Sequence, residues 1–255
     1  MKKLFLSTIL ATVIISGCAD SNGDNSSQNN INQPKQEEQN QENSSNDSHV
    51  NHEENIPLTF QSVSNEQKIQ EVSQIEDAEI VKEQELLAGK IIIFSKQDDN
   101  EHIYGAFKTV NALYDLGVVG AQIYHESLSI IELNLFNKSL IRINGSFGAN
   151  APVQNYFSIE DEKITPVLRV ETGQTVELDL DGDGSVEIVS SHGTPMTTYI
   201  YEWEDGEFSV SNVNESLNAI SINLTDDKKF NVQYKVGSNT TKLFEYKMGK
   251  LKPLN

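Results

Sequence analysis

Residues 176–193 read VELDLDGDGSVEIVSSHG, and the same design begins again at 131 and at 220. IELNLFNKSLIRINGSFG at 131–148 and ISINLTDDKKFNVQYKVG at 220–237 both lie over it without a gap. Each copy carries an alternating segment, a polar turn, a second alternating segment and a closing glycine, Gly148, Gly193 or Gly237. Alternation with period two marks half-buried strands. Recurrence at about 45 residues marks stacked supersecondary units. A second hairpin follows each copy: NYFSIEDEKI at 155–164, YIYEWEDGEF at 199–208 and KLFEYKMGKL at 242–251. Turns such as Asp205-Gly206 and Met248-Gly249 supply residues that tolerate positive φ. The repeats at 131–175, 176–219 and 220–255 are therefore expected to be four-stranded antiparallel modules.

Upstream, AGKIIIFSK, EHIYGAFKT and ALYDLG within 88–117 predict further strands and a partial fourth module. Between 64 and 87, Ser64 to Gln67 fits a capping box and Ile69, Val72 and Ile75 follow a helical stripe, which predicts a short helix, with a strand starting over Ala78–Lys82. The expected fold is all-β, with the modules in a propeller-like arrangement that is small or incomplete. An open stack of antiparallel sheets is the alternative, because a chain with too few blades must bury, pair or charge its free edges.

Within the middle repeat, DLDGDGSVE places Asp179, Asp181 and Asp183 at positions 1, 3 and 5 of a tight loop. Gly184 supplies the turn at position 6, Ser185 a backbone carbonyl at 7, and Glu187 sits at 9. Clustered oxygens at this spacing suit a hard cation, Ca²⁺ above all. An EF-hand would need a Glu at position 12, where Ser190 stands, and the flanks alternate like strands, so the loop joins two strands. The sister loops carry Asn134, Phe136 and Lys138, or Asn223, Thr225 and Asp227, in place of the three aspartates, so one metal site is expected.

DLDGDGSVE resembles the calcium loop of FG-GAP or VCBS-type β-propeller repeats, in which D-x-D-x-D-G-x-x-D/E links the first two strands of a blade. The resemblance implies side-chain ligands at Asp179, Asp181, Asp183 and Glu187, with the Ser185 carbonyl completing the set. Glu187 departs from the commoner Asp.

The N-terminus, MKKLFLSTILATVIISGC, has two lysines and an apolar run too short for a stable membrane span, as a signal peptide has over residues 1–17. Its end, Ile15-Ser16-Gly17-Cys18, resembles the bacterial lipobox, which implies cleavage before Cys18 and acylation of that residue. Two or more acyl chains anchor stably where one does not. Cys18 is the only cysteine, so the mature chain is expected to hold no internal disulfide. Residues 18–55, rich in Asn, Gln, Ser, Glu and Asp, lack the apolar surface to fold and read as a tether with a reach of about 35 Å. The domain is then 56–255.

A formal net charge of -19 argues against nucleic acid and against electrostatic docking on anionic lipid. His192, beside Ser190 and Ser191, aligns with Phe147 and Val236 of the sister repeats and reads as a packed strand end rather than a catalytic base. No nucleophile elbow, phosphate loop or zinc signature appears. Trp203, Tyr199 and Tyr201 alternate as sheet core does. The expectation is a non-enzymatic lipoprotein, lipid-anchored on the extracytoplasmic face of a bacterial cell membrane. Its calcium-stabilised β-domain would bind or scaffold an envelope protein or glycan; the alternative is an envelope enzyme or an accessory subunit of one.

Overall fold

The computed structural model describes residues 55–237 and 240–254. The signal segment 1–17, Cys18 and all of the tether but Asn55 lie outside the described residues. Among the described residues, no helix is long and apolar enough to cross a membrane.

The domain is all-β and is built from four antiparallel sheets. Three short strands come first: β1 (Ile56–Pro57), β2 (Gln61–Ser62) and β3 (Gln70–Val72). The first sheet follows as β4 (Ala78–Leu86), β5 (Gly89–Lys96), β6 (Asp99–Lys108) and β7 (Leu113–Ala121). A 3₁₀ turn at Gln122–Ser127 leads to the second sheet, β8 (Ser129–Leu135), β9 (Lys138–Ser146), β10 (Pro152–Glu160) and β11 (Lys163–Val170). The third comprises β12 (Gln174–Leu178), β13 (Glu187–His192), β14 (Thr197–Glu204) and β15 (Glu207–Asn212). After the short helix α1 (Val213–Leu217), the fourth holds β16 (Ser221–Leu224), β17 (Lys229–Gln233), β18 (Thr241–Lys247) and β19 (Lys250–Leu254).

Each sheet is thus built on a four-stranded meander, to which β1, β2 and β3 add a fifth strand in the fourth, third and first sheets, and the partial fourth module expected upstream is complete. The aligned repeats occupy one position throughout, the first hairpin of the second, third and fourth sheets. Several second hairpins share one turn chemistry: Asp161-Glu162, Asp205-Gly206 and Met248-Gly249 all have both central residues at positive φ. This matches the twist of the flanking strands.

The helix expected after Ser64 does not form. Gln70–Val72 pairs with β7 instead, and β1 and β2 pair with β19 and β15. Residues 56–72 therefore run as a strap over the outer edges of the fourth, third and first sheets. The residues that read as one helical stripe serve different ends, since Ile69 packs on the cluster between the first two sheets and Ile75 on the far face of the first.

Apolar residues from both faces of the middle sheets form the core. Ile91, Ile103, Leu116 and Val119 of the first sheet meet Ile141, Ile143 and Phe157 of the second. Tyr156 and Leu168 of the second meet Ile188, Tyr201 and Phe208 of the third. Val189 and Ile200 of the third meet Ile222, Phe230, Phe244 and Leu251 of the fourth. Among the described residues, no buried cluster joins the first sheet to the fourth. The interface of the second and third sheets also holds a polar group. Arg142 pairs with Glu177, both side chains nearly buried, and the Tyr156 hydroxyl donates to Glu177 Oε1 at 2.6 Å.

Gly145 marks the closest approach of the first two sheets. A Cβ there would stand 1.9 Å from the Val119 carbonyl oxygen, and backbone cannot swing aside. Gly145→Ala is expected to cost about 2 kcal/mol or more, seen as a lower urea midpoint. Gly148→Ala, whose Cβ would meet only the Ala151 methyl at 3.5 Å, should leave the midpoint nearly unchanged.

Candidate functional site

The 179–186 loop joins β12 to β13 at the rim where the third and fourth sheets meet. Its conformation is set by its own side chains. Asp179 accepts hydrogen bonds from Gly182 N at 2.7 Å and Gly184 N at 3.1 Å, Asp181 from Asp183 N at 3.2 Å, and Asp183 from Ser185 N at 2.6 Å. Gly182 and Gly184 take φ of 79° and 92°, so the chain can coil back on itself at both points.

The coil brings the three aspartates together, with one carboxylate oxygen of each within 4.8 Å of the others. Two oxygens on a common Ca²⁺ at 2.3–2.6 Å can stand at most about 5 Å apart, so this separation fits one ion. Glu187 is not within that group. It is buried, and its Oε2 accepts from Leu180 N at 2.8 Å, across the base of the loop. Ser185 is held by the bond from its N–H to Asp183.

Three further groups at the site have no counterpart in the loop motif. Glu202 on β14 lies one step beyond the Ile188–Tyr201 pair, opposite Glu187. By strand alternation both carboxylates face the fourth sheet, as Val189 and Ile200 do. Lys228 Nζ donates to the Asp179 carbonyl at 2.6 Å, and Met248 N donates to Asp181 Oδ2 at 2.8 Å. Both come from turns of the fourth sheet and fasten the loop to it. No spacing in the sequence announces these groups, because the stacking of two sheets brings them in. The one available signal was the run of acids at Glu202 and Glu204, two strands away from an acidic turn.

Burial pushes the Glu187 carboxyl up to about 7 from its ordinary 4.5, against the Leu180 hydrogen bond, with Asp181, Asp183 and Asp179 adding to the rise. Burial likewise pushes Glu202 up to about 7, with Glu187 and Glu204 as the next causes. The remaining residues singled out in the sequence stand apart from the site. His192 ends β13 as expected but is exposed rather than packed, with its ring stacked on Tyr199. Trp203 is half-buried between Phe136 and Phe208 in the interface with the second sheet.

Compared with known proteins, the chain matches no family model, no curated protein and no solved structure.

The raised carboxyls fix the sign of a pH effect. A carboxyl whose folded pKa exceeds its unfolded value binds more protons in the folded state between the two, so its contribution to stability is full below the unfolded pKa and is lost as pH rises through the folded one. With EDTA present, Tm should fall between pH 5 and pH 8, and Glu202→Gln should flatten that fall. A Tm that is level or rises across this interval, followed by calorimetry, would contradict the electrostatics described.

Proposed function

We propose that this is a membrane-anchored lipoprotein of the bacterial envelope whose β-domain binds or scaffolds a partner there, with one Ca²⁺ bracing the junction of its third and fourth sheets. The observation that carries the metal is the convergence of Asp179, Asp181 and Asp183 oxygens within 4.8 Å on a loop already coiled by its own backbone N–H groups. The ionised Glu187 carboxylate would supply a fourth side chain, and the Ser185 carbonyl a backbone oxygen. Because Lys228 and Met248 tie the loop to the fourth sheet, an ion held there would stiffen an interface as well as a turn. A structural role suits the site, since its carboxylates and backbone carbonyls are hard-cation ligands and the Lys228 amine is engaged by the Asp179 carbonyl.

For the arrangement of the sheets we favour the open stack over a closed ring. Among the described residues, the three buried clusters that lie between sheets each join sheets that are neighbours in sequence. The face of the fourth sheet turned from the core carries Lys229, Glu245 and Lys252 in a ladder of ion pairs. A polar outer face is what a terminal unit of a stack needs.

Adding Ca²⁺ is expected to raise Tm, by the equivalent of about 2.7 kcal/mol at a hundred times Kd. Asp181→Ala and Asp183→Ala should abolish the rise. Unchanged melting together with calorimetric silence on titration would remove the metal from this reading. For the anchor, metabolic labelling with a fatty acid should mark the wild-type chain and not Cys18→Ser, which should leave the membrane fraction; equal labelling of both would refute lipidation at Cys18.

A further inference from the structure

The strap at 56–72 holds the domain by little. Its strands pair over two residues with β19, two with β15 and three with β7. Two further backbone bonds reinforce them, Leu58 N to the Gly249 carbonyl and Val63 N to the Phe208 carbonyl, each 2.9 Å. Among the buried residues of the four clusters only Leu58 belongs to the strap. Ile56, Phe60, Val63 and Ile69 sit partly buried at the outer mouths of the clusters between sheets. The four meanders therefore keep almost all of their buried apolar surface when the strap leaves. The link to the first sheet, residues 73–77, is largely exposed and contributes no strand. Segments with few buried contacts and half-exposed hydrogen bonds open at free energies well below global unfolding.

Opening has a second effect. It bares the outer edges of β7, β15 and β19, whose unpaired N–H and C=O groups are templates for another strand. The edge of β11, which the strap passes without pairing, differs: it carries Pro166 and beside it a bulge, where Val167 is the extra residue between the Tyr156–Leu168 and Phe157–Pro166 pairs, and both discourage strand addition.

We propose that the strap opens as one unit while the four sheets stay folded, and that the bared edges of β7, β15 and β19 then accept the strap of a second copy of this chain. The occupant follows from the fit, because these edges already match this sequence in register and the cluster mouths already seat its apolar side chains. Exchange of an identical element costs little in contacts and closes as a symmetric pair. Within one chain the strap is held at high effective concentration, so exchange needs crowded protein.

The test uses full chains carrying Cys18→Ser. Gln61 and Val210 are opposed in the strap pairing, so Gln61→Cys is placed in one preparation and Val210→Cys in another. After mixing in equal amounts, incubation at rising concentration and mild oxidation, exchange predicts that disulfides joining unlike chains outnumber like-with-like dimers well beyond the statistical half, and increasingly so with concentration. A statistical mixture overturns the proposal. As a check free of added cysteines, light scattering of the Cys18→Ser chain should show a dimer fraction that grows on incubation toward about 1 mM, the range of tethered effective concentrations; a monomer throughout also overturns it.

Discussion

A four-stranded meander whose two faces are both apolar cannot bury them alone, and the architecture follows from that constraint. Ile141 and Ile143 of β9 point to the first sheet while Leu140, Arg142 and Asn144 point the other way, so the second sheet needs a neighbour on each side. The third sheet is in the same position, with Ile188 and Tyr201 on one face and Val189 and Ile200 on the other. The two outer sheets end the demand differently. The fourth turns charged residues outward, and the first covers Ile92 and Phe94 with its own Tyr104 and Leu113 and with Ile75 from the link that follows the strap.

Within this scheme the interfaces differ in character. The first and second sheets approach so closely at Gly145 that only a glycine fits; the cluster between them is aliphatic and aromatic, with Lys82, Gln84 and Arg169 donating to backbone carbonyls across it. The second and third enclose the Arg142, Glu177 and Tyr156 group, whose charges offset each other's desolvation; loss of one partner would leave the other stranded. The third and fourth add an acidic rim with two carboxyls held near neutrality in their titration. That rim is the least self-sufficient of the three: Asp179, Asp181 and Asp183 push Glu187 up and Glu187 pushes Glu202 up, while Lys228 donates to a carbonyl and not to a carboxylate.

Much of the fold was legible in the sequence, for definite reasons. Three first hairpins align without gaps and keep their period-two pattern, and Asp205-Gly206 and Met248-Gly249 announce their own turns. The first sheet was read only in part because β4, AEIVKEQEL, is mostly exposed and charged, so it shows little alternation. The strap was misread for a deeper reason. Strands of two or three residues are shorter than any periodicity, and Ile69, Val72 and Ile75 look like one face when they serve separate contacts. At the acidic loop, local spacing gave the three aspartates, while Glu202, Lys228 and Met248 arrive from strands and turns that only tertiary packing places nearby.

The pairing of Ile56 with Leu251 sets an order on biosynthesis. The strap leaves the ribosome before any sheet exists, yet its first docking strand, β19, is the last to be made. Each meander can close locally as it emerges, but the brace across them must wait for the end of translation. During that interval the nascent chain carries the open edges of β7 and β15 together with the very segment that fits them, so newly made molecules crowded on one message or one secretion channel meet their own complement before they are finished.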